Sequence, residues 1–223
     1  MSSPTAADAL PTQSPIDIVD NGEQLKVEVL DATQVKLTLG TAEAELAQHG
    51  ANFQVNWADR DQNVLVLDGK TYYTVQFHFH APSEHTLNGD ARDMELHVVH
   101  QSEDGELAVV GLFFTEGAEN AFLAQFWHEL PKLKGATHAH VKLGSISADA
   151  LHPLAGKFYR YTGSLTTPPY SEGVKWIVAQ DAVEASAEQL EVYRSFIPAP
   201  NARACQALNG RSVSLHECAA TAP

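Results

Sequence analysis

The segment Gln76-Phe77-His78-Phe79-His80 constrains this chain more than any other, because its alternation of polar and aromatic side chains suits an extended strand. Successive side chains on a strand point to opposite faces. Gln76, His78 and His80 therefore share one face, and Val75, Phe77 and Phe79 take the other. A second run, Glu95-Leu96-His97-Val98-Val99, places Glu95, His97 and Val99 on one face in the same way. The sixteen residues between His80 and His97 include Pro82, Asn88 and Gly89, enough for a wide hairpin that brings the two polar faces together. Three imidazoles then converge on one point.

Three histidines with no cysteine nearby suit a zinc ion whose fourth tetrahedral position stays open to water. Metal-bound histidines usually hydrogen-bond through their second ring nitrogen, and Gln76 and Glu95 each lie two residues from a ligand on the same face. The competing reading is a polar strand face with ordinary structural histidines. The third histidine and the two orienting partners weigh against it.

Fourteen Lys and Arg against 28 Asp and Glu give a net charge of −14, which disfavours nucleic acid and anionic lipid as partners. No apolar stretch approaches the ~18 residues of a membrane span. The start, Met1 to Pro11, has neither a basic region nor an apolar run and does not read as a secretory signal. The sequence divides into a flexible segment 1–11, one domain 12–217 and a loose tail 218–223. Cys205 and Cys218 are the only cysteines; they either pair in an oxidising compartment or remain free.

Short alternating or apolar runs recur between turn residues: Lys26 to Leu30, Val35 to Leu39, Phe53 to Trp57, Val64 to Leu67, Tyr72 to His80, Met94 to Gln101, Leu107 to Phe114, Phe158 to Tyr161 and Val174 to Gln180. They predict a mainly β domain. Helical periodicity is confined to Asn120 to Glu129, ending before Pro131, and to Ser186 to Ser195, with Ser186 as the cap. The helices are few, short and peripheral.

Five stretches together resemble the α-class carbonic anhydrases, particularly the bacterial ones: Gln13-Ser-Pro-Ile-Asp-Ile18, Gln76-Phe-His-Phe-His-Ala-Pro-Ser-Glu-His85, Glu95-Leu-His-Val-Val-His100, Ser164-Leu-Thr-Thr-Pro-Pro169 with Trp176, and Asn201 to Arg211. The resemblance implies a large twisted, mostly antiparallel central sheet and the reversible hydration of carbon dioxide to bicarbonate and a proton through a zinc-bound hydroxide. By the same resemblance His78, His80 and His97 are the Zn2+ ligands, with Gln76 and Glu95 behind them. Thr166 orients the hydroxide and passes its own proton to Glu84, and Thr167 contacts bicarbonate. Val99, Val109, Leu165, Val174 and Trp176 form the apolar wall beside the metal; apart from the resemblance, plain core packing would account for all but Val99. His78-x-His80-x-x-x-Glu84 also resembles the first metal motif of cupin barrels, though that reading leaves Ser164 to Pro169 unexplained.

His85 and His100 read as satisfied structural histidines, and His128, His138, His140, His152 and His216 have no supporting context; His138-x-His140 at most scavenges metal at the surface. Two departures from the family stand out. The proton-shuttle position in His49-Gly50-Ala51 holds alanine, which leaves His49 as a slower shuttle. The aromatic segment before Gln13 is missing, and Tyr170 stands where many bacterial relatives have a cysteine that pairs with it. The resemblance also implies a periplasmic or secreted protein, with a cytoplasmic one left open, and a homodimer as the assembly to test.

Overall fold

A pleated run with apolar residues on alternate positions has to bury one face, and here most such runs join into one large open sheet, beside a small one of three short strands. The computed structural model describes residues 11–20, 25, 27–50, 52–57, 62–133, 139–197 and 199–219. The strands are β1 (Asp17–Ile18), β2 (Val27–Leu30), β3 (Val35–Leu39), β4 (Thr41–His49), β5 (Asn52–Trp57), β6 (Asn63–Leu67), β7 (Lys70–His80) and β8 (Thr86–Leu87). They continue with β9 (Asp90–Ala91), β10 (Met94–Gln101), β11 (Leu107–Glu116), β12 (His140–Ser147), β13 (Lys157–Ser164), β14 (Glu172–Ala179), β15 (Val183–Ala185) and β16 (Ser214–Cys218). Helices α1 (Ala121–Ala124) and α2 (Ala187–Phe196) and a 3-10 segment, Trp127–Leu133, complete the fold.

Among the described residues thirteen strands form one twisted sheet in the order β12-β4-β5-β7-β10-β11-β14-β13-β16-β2, with β6 on β7, β3 on β6 and β15 on β11. Most pairs are antiparallel, as expected; β14 and β15 run parallel to β11, and β2 runs parallel to β16. The path ends at β12 and β2, so the sheet is open and the cupin barrel is excluded. The wide hairpin between β7 and β10 carries its own small one, β8–β9, turned by Asn88 and Gly89, both at positive φ.

Both faces of the central strands are buried. Behind β7 and β10, Phe77, Phe79, Leu96 and Val98 pack with Phe122, Phe126, Trp127 and Tyr193. The Phe79 and Trp127 rings meet edge to face at 4.9 Å. In front, Val99, Val109, Val174 and Trp176 pack with Ile16, Phe113 and Tyr161 in a second cluster.

Several elements differ from the sequence reading. Val75 does not share the Phe77 face: the β7–β10 register slips where Val99 opposes Gln76 but His100 opposes Thr74, leaving Val75 45% exposed while Thr74 is buried. The stretch read as a helix over Asn120 to Glu129 is only four α-helical residues, capped by Asn120, and then a 3-10 segment with Pro131 inside it. Trp127, Leu130 and Leu133 recur every third residue, and a three-residue turn buries all three on one side. Strand β4 carries little strand signal in the sequence because alanine and glutamate are poor strand formers, although Ala42, Ala44 and Leu46 alternate inward. Strand β12, largely exposed, and β16 carry little signal either. Cys218 closes β16, and the Ala219 amide donates to the Leu30 carbonyl at 2.7 Å. The second helix agrees with expectation: Ser186 and Gln189 form a reciprocal capping box.

His100, fully buried on the aromatic side, donates from Nδ1 to the Val98 carbonyl at 3.0 Å. Burial pushes its pKa from 6.5 down to about 4. The unfolded chain takes up this proton first, so stability is lost as pH falls from about 6.5 to about 4 and the loss levels off below. We expect this group to remove roughly 3 kcal/mol of folding free energy over that window. Denaturant unfolding of His100→Leu should show a correspondingly shallower pH dependence; an unchanged slope would show that His100 is not the acid-sensitive group.

Candidate metal centre

Register assembles the centre. In the β7–β10 pair, His97 lies opposite His78, Glu95 opposite His80 and Val99 opposite Gln76, all on the front face. One ring nitrogen from each of His78, His80 and His97 lies within 4.8 Å of the others. The remaining nitrogens are engaged: His78 Nδ1 donates to Gln76 Oε1 at 2.9 Å, His80 Nδ1 to the Asn201 carbonyl at 3.2 Å, and His97 Nε2 to Glu95 Oε1 at 2.9 Å. These partners only accept, which fixes the tautomers and leaves Nε2, Nε2 and Nδ1 as lone-pair donors to the centre. His80 Nε2 is buried without a hydrogen-bond partner among the described residues, as befits a nitrogen reserved for a metal. Burial, reinforced by the neighbouring imidazoles, holds His78 well below 6.5 and His80 at about 3, so both rings are neutral ligands at neutral pH. The donor set fits a zinc-type ion.

Glu95 does more than orient His97. Its Oε1 accepts from His97 Nε2 and from His85 Nδ1 at 2.7 Å, and its Oε2 accepts from the backbone amides of Glu84 and His85, each at 2.9 Å. Burial alone would raise the Glu95 pKa, but His85 and His97 overturn that and hold it well below the usual carboxylate range. In return Glu95 outweighs burial at His97 and raises its pKa. His85 Nε2 and the Tyr161 hydroxyl lie 2.6 Å apart, and the Tyr161 hydroxyl is 2.8 Å from Ser14 Oγ. His85 is thus the satisfied structural histidine expected, although His85, Glu95 and His97 also crowd closely enough to resemble a second metal group. The atoms that meet there are already joined, with His85 Nδ1 and His97 Nε2 both donating to Glu95 Oε1.

Gly111 lies opposite His97 on β11, and a Cβ there would come within 3.0 Å of Glu95 Oε1. The close approach of backbone to carboxylate accounts for glycine at this position.

Glu84 sits beside the centre with its Oε1 accepting from the Arg203 amide at 2.9 Å and lying 3.3 Å from His80 Nδ1. Burial pushes its pKa up to about 7, opposed by His97, the Thr166 hydroxyl and the Arg203 amide. Val99, Val109, Val174 and Trp176 are buried in one cluster with Leu165 against it, and the Trp176 and His97 rings are 4.9 Å apart. An adjoining cavity of about 110 Å³ is lined by His49, Asn52, Gln54, Gln76, His78, His80 and Thr167 among others. His49 is exposed there, with Nδ1 3.3 Å from Gln54 Oε1. Ala51 lies outside the described residues.

Sequence reasoning assigned no role to Asn201, Arg203, Tyr161 or Ser14. Each reaches the centre from 60 or more positions away along the chain, a distance over which no periodicity carries a signal. Of the remaining histidines, His140 pairs with Glu45 at 2.8 Å and His128 with Glu129 at 3.1 Å, while His138 lies outside the described residues. His216 approaches Ser214 Oγ at 2.6 Å. Cys205 and Cys218 are free and exposed.

Comparison with known proteins agrees with this geometry. Residues 3–217 match the family model described as eukaryotic-type carbonic anhydrase. A carbonic anhydrase of Pectobacterium atrosepticum is 39% identical over 206 residues, covering 90% of this chain and 78% of that protein. The structure of the α-carbonic anhydrase from Thermovibrio ammonificans in complex with sulfanilamide superposes with a TM-score of 0.81 at 38% identity, over 92% of this chain and 87% of that one. Dioscorin complexed with ascorbate superposes with a TM-score of 0.82 at 28% identity, over 94% of this chain and 87% of that one.

Because Glu95 fixes both the tautomer and the orientation of His97, Glu95→Gln is expected to weaken zinc binding by about 10- to 100-fold. Competition with a chromophoric chelator measures this directly; affinity equal to wild type would show that the contact does not support the site.

Proposed function

The chain belongs to the eukaryotic-type carbonic anhydrase family, and we propose that it catalyses the reversible hydration of carbon dioxide to bicarbonate with zinc held by His78, His80 and His97. The observation that carries this reading is the set of three convergent imidazoles whose other nitrogens are already committed. When bound, zinc acidifies a coordinated water to a pKa of about 7 and so supplies hydroxide at neutral pH, an effect for which the carbonic anhydrases are the standard instance.

The protein's own groups do the rest. Thr166 lies near enough to lower the Glu84 pKa; with its hydroxyl donating to that carboxylate, an oxygen lone pair is left to accept the nucleophile's hydrogen and aim its attacking pair. Glu84 is kept from turning by the Arg203 amide. Val99, Val109, Leu165, Val174 and Trp176 offer carbon dioxide an apolar, water-poor wall beside His97. Thr167, at the cleft, contacts the bicarbonate product. His49 stands on the same cleft and relays the released proton to buffer through its imidazole. A catalytically silent binding module would not need this retained set of three ligands together with Thr166 and Glu84.

The same reading takes carbon dioxide and bicarbonate as the small-molecule partners, with a periplasmic or secreted location and a homodimer as its further consequences. Among the described residues no helix is long and apolar enough to cross a membrane. Fractionation of the native host and sedimentation test these two points.

Stopped-flow hydration over pH 6 to 9 on samples of known metal content tests the activity. Turnover should follow zinc occupancy, and its absence at full zinc would overturn the assignment. Thr166→Val should lower kcat/KM by about a hundredfold while zinc stays bound. His49→Ala should lower turnover in dilute buffer and leave it near wild type in concentrated imidazole; equal loss under both conditions would remove His49 as the relay.

A further inference from the structure

Tyr170 is a bulky residue held at a φ of 59°, a left-handed backbone that side chains other than glycine rarely adopt. Something must keep it there. The Arg203 guanidinium lies over its ring, 3.9 Å from the centroid, well within the range of a cation–π contact. Arg203 Nη1 donates to Gln13 Oε1 at 2.9 Å and to the Ser14 carbonyl at 2.7 Å. Gln13 closes the circuit, with Nε2 donating to the Tyr170 carbonyl at 3.2 Å and to Glu172 Oε1 at 2.8 Å.

Between these ties runs the segment that carries Thr166 and Thr167. It begins where Ser14 and Ser164 exchange hydrogen bonds, amide to hydroxyl in each direction, at 2.9 and 3.0 Å. It ends at Tyr170, whose amide donates to the Thr167 carbonyl at 2.9 Å. Arg203 touches both halves of the pair invoked above: its side chain underlies the end of the Thr166 segment, and its own amide holds Glu84 Oε1.

We infer that Arg203 and Tyr170 are positioning residues, a stacked clamp that fixes the Thr166 hydroxyl against the Glu84 carboxylate. This rests on the hydration activity proposed above. The guanidinium is pre-organised by two hydrogen bonds in its plane, which leaves its flat face free for the ring. The amide contact to Glu84 belongs to the backbone and survives a side-chain change, so substitutions at Arg203 report on the clamp itself. Lysine keeps the charge but not the planar fork, and phenylalanine at 170 keeps the ring.

The test uses the full-length zinc protein with Tyr170→Ala, Tyr170→Phe, Arg203→Ala and the Tyr170→Ala/Arg203→Ala double variant. Two readouts are taken: kcat/KM for hydration, and amide hydrogen exchange of the 165–171 segment. Each alanine variant should lose about tenfold in kcat/KM at unchanged zinc content, because a misplacement well under 1 Å costs that order of rate. The double variant should lose no more than either single one, as expected of residues acting as a unit. Tyr170→Phe should restore both rate and exchange protection to near wild type. Additive losses, a tenfold loss in Tyr170→Phe, or alanine variants with wild-type rate and protection would each overturn the clamp. If the wild type itself fails to hydrate carbon dioxide at full zinc, the activity assignment falls. Exchange in the four variants then still decides whether the clamp holds the segment.

Discussion

One buried carboxylate organises this molecule. Glu95 is fully enclosed, charged, and accepts from His97, His85 and two consecutive amides. An ionised carboxylate so placed is tolerable only if every lone pair is met, and charge-assisted contacts of this kind are among the stronger hydrogen bonds. The same four contacts set the tautomer and plane of His97, pin the chain at Glu84 and His85, and start the relay through Tyr161 to Ser14 and Ser164. Removing Glu95 would therefore affect ligand geometry and local folding together. Gly111 belongs to this arrangement, since even a methyl group would press on the carboxylate.

The sheet supplies the rigidity. On β7 and β10 the polar front face can stay in place because the back face is anchored: Phe77 and Phe79 pack in a cluster of tilted and edge-to-face rings with Phe122, Phe126 and Trp127. Tyr193 from α2 reaches through that layer, its hydroxyl donating to the Phe79 carbonyl at 2.5 Å, between the two ligand residues His78 and His80. Packing of this kind allows little movement of the ligand backbone. In front of the sheet the apolar cluster around Trp176 limits water near His97, which strengthens every electrostatic contact at the centre.

Distant parts of the chain complete what the two strands begin. The Asn201 carbonyl fixes His80, and its side-chain oxygen accepts from the Ala81 amide at 2.9 Å. Arg203 follows two residues later and reaches Glu84, Gln13, Ser14 and Tyr170. A short stretch of irregular chain near the C-terminus thus joins Gln13 and Ser14 to the segment that carries Thr166. Many backbone carbonyls and amides are used, so the side-chain pattern along the sequence gives little sign of it.

The sequence alone determined the strands that bear His78, His80 and His97, the face those three share, and the nearness of Gln76 and Glu95 to two of them, because a period of two survives in any sheet that buries one side. It also determined the cap of α2, where Ser186 and Gln189 act within one turn. Resemblance of motifs, rather than periodicity, is what proposes Thr166, Glu84 and the apolar wall for the same site. Tertiary structure alone decided the bulge that turns Val75 outward, the 3-10 path through Pro131, and the inclusion of alanine-rich β4. It alone joined His85 to Tyr161 and Arg203 to Tyr170, across 76 positions in the first case. The division has a physical basis: local periodicity is written by neighbours a few residues apart, whereas bulges, buried hydrogen-bond chains and cation–π contacts depend on which distant segments the completed sheet brings within a few ångströms.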